Sequence, residues 1–196
     1  MLHPVLLTAR RMAAHALAAM LLGACQPPRQ VLAGAECEAV AAVLDTLATA
    51  PGAHQIVLGD STLDGPASES LDERVGAIPE LASSTRASFL RRSMETRAVC
   101  RPLSVRVPVT YVANRDVHAL YKGDNDAYWR DFYARYAGAA GFTHVSRVGL
   151  STDERQALLV VENGCGDLCG SIVLVLLERS ANGAWRVRHT KILLIS

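Results

Sequence analysis

From residue 142 onward the chain follows a pattern that leaves few folds open to it. Residues 142–150, 156–162, 171–179 and 184–195 are four apolar, β-branched runs separated by turn residues, with nothing of helical period between them. Asn182-Gly183, between the last two, supplies the positive-φ positions of a tight hairpin turn. Strands joined this closely run antiparallel, because a parallel return needs a crossover of a dozen or more residues. The C-terminal third is therefore expected to be a four-stranded antiparallel meander, and not a series of βαβ units.

Upstream the period changes. Residues 36–50 place Val40, Val43, Leu44 and Leu47 on one helical face, and Pro51-Gly52 closes that helix. A short strand is expected at 55–58, loop with one helical turn near Leu71 over 59–80, and a helix over 85–95 with Phe89 and Leu90 facing inward. Val105, Val107, Val109 and Tyr111 alternate as a half-buried strand over 104–112. The clearest helix is 126–136, with Trp129, Phe132, Tyr133 and Tyr136 on one face, Asn125 as N-cap and Gly138 past the end. Together these predict an α+β domain with helices packed on one face of an antiparallel sheet. A helix followed by a long curved meander resembles the cystatin and nuclear-transport-factor-2-like architectures, a likeness of shape that implies no function.

The N-terminus reads differently. Arg10 and Arg11 precede an apolar segment, residues 12–22, which ends in Leu22-Gly23-Ala24-Cys25. As a helix those eleven residues rise about 16 Å, too short for a hydrocarbon core of roughly 30 Å. Basic, then apolar, then small residues before a cysteine resemble the signal peptide and lipobox of bacterial lipoproteins. The resemblance implies cleavage after residue 24, diacylglyceryl on the Cys25 thiol, and acylation of the new amine, palmitate being a typical chain. Each buried CH₂ then adds about 0.8 kcal/mol of membrane anchoring. Gln26, where Asp would favour retention in the inner membrane, implies an outer-membrane anchor facing the periplasm if the organism has an outer membrane. The division is then 1–24 leader, 25–35 tether and 36–196 one domain.

Composition agrees with an exported domain. Removing the leader leaves 172 of 196 residues, enough to bury roughly 70% of the unfolded chain's surface. Arg10 and Arg11 go with the leader, leaving 18 cationic side chains against 19 acidic ones. That balance provides no basic footprint for nucleic acid. Of five cysteines, one is assigned to lipid, and the four others favour two disulfides, Cys37 with Cys100 and Cys165 with Cys169. Closing those loops is worth roughly 4 and roughly 2 kcal/mol in the chain-entropy model.

Three patterns bear on chemistry. Ser146-Arg147-Val148-Gly149-Leu150, the run 156–161, Cys165-Gly166-Asp167-Leu168-Cys169-Gly170 and Ile195-Ser196 resemble a group of uncharacterised exported bacterial proteins, which implies architecture without an activity. Strand 55–58 followed by Gly59-Asp60-Ser61 resembles the nucleophile block of the SGNH, or GDSL, esterases, and Gly123-Asp124-Asn125-Asp126 resembles their Gly-x-Asn-Asp block. That likeness implies Ser61 as nucleophile, Asn125 and a glycine such as Gly76 as oxyanion donors, and His189 or His144 as base. The Asp-x-x-His of those enzymes is missing, since Arg186 precedes His189 by three. Cys165 and Cys169 also admit a thiol-disulfide role, although three intervening residues between strands lack the helix dipole that lowers a thiol pKa. His144 and Ser146 share a strand face, with Arg147 on the other. No Cys/His cluster has zinc-ligand spacing. The reading that follows is a membrane-anchored envelope lipoprotein with a non-enzymatic domain. It would bind a small ligand or an envelope protein, and it needs no metal or cofactor.

Overall fold

A computed structural model describes residues 31–48, 54–63 and 71–196. The leader, Cys25 and residues 26–30 lie outside the described residues. The fold is already under way at Val31, which bridges to Ala98, and α1 (Gly34–Leu47) begins two residues before the expected boundary at 36. Glu36 Oε2 accepts from Ala33 N–H at 3.1 Å and so satisfies an otherwise orphaned donor at the helix start. Strand β1 (Gln55–Gly59) follows, then α2 (Leu71–Gly76) and α3 (Ser83–Arg92).

Strand β2 (Val109–Val112) is half the expected length. Pro108 has no N–H to give a ladder, so pairing starts after it, while Val105 and Val107 pack on the core as irregular chain. After α4 (Asn114–His118), helix α5 (Asn125–Arg135) is capped by Asp124, not Asn125, with Asp124 Oδ1 accepting from Ala127 N–H at 3.0 Å. Then come β3 (Ala139–Val145), β4 (Gly149–Leu150), β5 (Gln156–Gly166), β6 (Cys169–Arg179) and β7 (Trp185–Ile195). The single strand expected over 142–150 is thus broken at Ser146-Arg147-Val148.

The α+β class stands, and β3, β5, β6 and β7 form the antiparallel meander. The whole sheet is mixed, however, in the order β2-β1-β3-β5-β6-β7 with β4 beside β5. Strand β1 pairs parallel with both β2 and β3. The stretches between these three strands carry α2 with α3 and α4 with α5, which is the helical crossover that parallel neighbours require. The N-terminal half therefore corrects the expectation of a purely antiparallel sheet.

Helices also cover both faces rather than one. Val40 and Leu44 of α1 pack with Ile56, Leu58, Leu159, Val161 and Val175. Phe89 and the α2 residues Leu71 and Val75 cover the opposite side of the meander, on Leu158, Val160, Leu174 and Leu176. Phe132 of α5 and Val117 of α4 cover Val57 and Phe142. The cause is legible in β5, where residues 157–161 are apolar without interruption, so each face needs its own cover. Helix α3 sits so close to β4 that a Cβ on Gly149 would lie 2.5 Å from the Phe89 backbone.

Two disulfides tie this together. Cys37–Cys100 joins α1 to the chain before β2, and Cys165–Cys169 closes the tip of the β5–β6 hairpin.

Candidate functional site

In open sheets with parallel strands, ligands gather where the strands' carboxyl ends meet. Here that edge brings together Gly59 at the end of β1, Asn114 just past β2 and His144 near the end of β3. The His144 ring lies directly over Gly59. A Cβ at that position would stand 2.3 Å from the ring's Cδ2 and 2.7 Å from Nε2, so only glycine admits the ring there. His144 Nε2 donates to Asn114 Oδ1 at 2.6 Å, which leaves Nδ1 with its lone pair. Burial, and to a lesser extent the neighbouring His118, push the His144 pKa down to about 4, with Asp60 opposing. The imidazole is therefore neutral near pH 7 and a poor proton acceptor there.

Beside it lies a cavity of about 180 Å³, between α4 and α5 on one side and β3 and β5 on the other. Tyr128 and Trp129 form one corner, with ring centroids 4.9 Å apart and planes at 77°. Phe142 and His144 form another, at 4.4 Å and 69°. Glu162, directly across the ladder from His144, supplies the one carboxylate of the lining, and His118 stands at the rim. Burial raises the Tyr128 pKa, so its phenol stays neutral.

A second polar cluster lies nearby and is closed. Glu36 is fully buried, and its Oε1 accepts from Arg92 Nη1 at 2.8 Å and Arg147 Nη2 at 2.9 Å. Arg147 Nη1 reaches Glu95 at 3.0 Å, and Arg97 reaches the same carboxylate oxygen at 2.8 Å. The break in the 142–150 strand carries Arg147 into this network. Arg147 is spoken for and offers nothing to an anion.

The candidates read from sequence do not assemble into a catalytic set. Ser61 bridges to Ala98 through its backbone, and its hydroxyl has no hydrogen bond to a histidine among the described residues. His189 is on β7, four strands from β1, or about 19 Å at the usual strand spacing. Gly76 ends α2, whose Arg74 contacts Leu193 and Lys191 of β7, also at the far side of the sheet. Asn125 is an exposed first residue of α5. Ser146 is buried, donating to Arg147 O at 2.8 Å and accepting from Val160 N–H at 2.9 Å, so it pins the bulge and does not face His144 as a dyad. Cys165 and Cys169 sit on strands and are bonded to each other as a disulfide at the hairpin tip.

Asn114, Tyr128, Phe142 and Glu162 were not among the residues singled out. Glu162 did carry a signal, as the carboxylate that ends the apolar run 157–161 while the strand continues. No family model matches the chain, and no curated protein and no solved structure matches it either.

Proposed function

We propose that this is an exported, lipid-anchored envelope protein whose α+β domain binds a small ligand, without chemistry of its own, in the cavity between α4–α5 and β3–β5. The lipobox-like run ending at Cys25 supports the anchor. No described helix is long and apolar enough to cross a membrane. The observation that carries the binding reading is the cavity itself, walled by rings and holding a neutral imidazole fixed by Asn114. About 180 Å³ is less than drug-sized ligands occupy and suits a fragment of a few heavy atoms. A fragment library covering anions, neutral compounds and cations tests it. Binding should move the backbone resonances of Trp129, Phe142 and Glu162, and a library that moves none of them overturns the reading.

A serine hydrolase is the second reading, because Gly59-Asp60-Ser61 follows the carboxyl end of a strand with parallel neighbours on both sides. A fluorophosphonate adduct on Ser61 would support it. An unlabelled Ser61 in folded protein sets it aside.

A further inference from the structure

We propose that the cavity takes an organic cation, a small quaternary or alkylated ammonium group held by the rings of Tyr128, Trp129 and Phe142 and by the carboxylate of Glu162. This rests on the ligand-binding reading above and names its ligand class. The first observation is geometric. A cation is drawn to the faces of aromatic rings, and a box needs those faces turned toward one another. The Tyr128–Trp129 and Phe142–His144 pairs, with planes at 77° and 69°, place four aromatic rings in the lining of one small space.

The second observation is charge. Elsewhere in the fold, buried and partly buried carboxylates are paired: fully buried Glu36 with Arg92 and Arg147, partly buried Asp45 with Arg106. Glu162 is partly buried on the cavity wall and has no hydrogen bond or ion pair among the described residues, and no Lys or Arg lines the cavity to neutralise it. A carboxylate taken partly out of water without a partner favours a bound positive charge. The imidazole opposite is held uncharged, so it does not repel one. Asp126 lies one helical turn before Trp129, against Asp167 of the β5–β6 tip, and adds negative potential toward the same end of α5.

The third observation disfavours a small hard metal ion. No group of three or more His, Cys, Asp or Glu among the described residues is placed to hold a metal ion. Aromatic walls with one carboxylate match a diffuse organic cation better than a small hard ion, which needs several oxygen ligands.

The test is titration of the full domain with tetramethylammonium and choline, and with 3,3-dimethylbutan-1-ol, the uncharged isostere of choline. The signal to follow is the Trp129 indole N–H resonance. The cations should shift it saturably and the alcohol should bind at least about tenfold more weakly. Glu162→Gln, a change of charge at constant shape, should weaken the cations about tenfold and leave the alcohol unchanged. Trp129→Leu should weaken the cations again, read at the Phe142 and Glu162 amides. Equal binding of the alcohol and choline at these residues would overturn the cation assignment and keep the cavity as a binding site. Absence of cation binding would also overturn the assignment, whereas the binding reading falls only if fragments of every charge fail.

Discussion

Around Glu36 each buried charge touches an opposite one, whereas around Glu162 the only carboxylate of the cavity touches none. The two clusters are built from similar materials, a carboxylate with neighbouring cationic or aromatic side chains. In the first, two guanidinium groups and a backbone N–H use the buried carboxylate fully, and the result is a clasp joining α1, α3 and the 146–148 bulge. In the second, rings and a neutral imidazole surround a carboxylate that is left available. The difference separates a polar group kept for folding from one kept for something that arrives later. A fully buried charge is costly unless satisfied, which Glu36 is, whereas Glu162 is only partly buried and reaches solvent.

The comparison is broken most severely at Glu36. Replacing it by Ala strands Arg92 and Arg147, and the expected loss is about 3–5 kcal/mol in denaturant unfolding. A loss below about 1 kcal/mol would mean that water reaches the network. Next comes pH. His144 has a folded-state pKa lowered from 6.5 to about 4, so the unfolded chain binds the proton more readily than the native one. Its contribution is fully present above about pH 6.5 and is lost as pH falls toward 4, on the order of 3 kcal/mol as an upper bound. Unfolding curves of His144→Gln across that window should show a flatter slope than the parent, and parallel slopes would contradict the assignment. Gly59→Ala should cost about 1–3 kcal/mol, because the ring and Asn114 must move off the new methyl. The His144 ring resonances of a folded G59A variant report whether they do. Smallest of all, Ser61→Ala should change stability by less than about 0.5 kcal/mol and leave ligand affinity intact. Lost affinity would draw Ser61 back into the site.

How much of this was legible in the chain can be followed residue by residue. Trp129 and Tyr133 could be placed on one helix face by spacing alone, yet nothing in that spacing tells that Trp129 walls a cavity while the Tyr133 hydroxyl donates to Cys165 O. Gly183 takes the positive φ expected of the β6–β7 turn, but Asn182 does not, and the connection runs over 180–184 rather than being a two-residue turn. Asn125 was misplaced as the cap by one position, since Asp124 and Asn125 are both good caps and only the backbone chooses between them.

The sequence by itself determined the elements whose causes lie within a few residues. These are the α+β class, the C-terminal meander and the Cys165–Cys169 closure of the β5–β6 tip, whereas α4 and the break at 146–148 were not foreseen and Cys37–Cys100 joins residues 63 apart. Tertiary structure decided the rest. The parallel seating of β1 between β2 and β3, the covering of both faces, and the meeting of His144 with Asn114, Gly59 and Glu162 all join residues from separate elements. Periodicity reports which side of a strand is apolar. It carries no record of which strand lies next door, because that choice is made by packing the whole sheet at once.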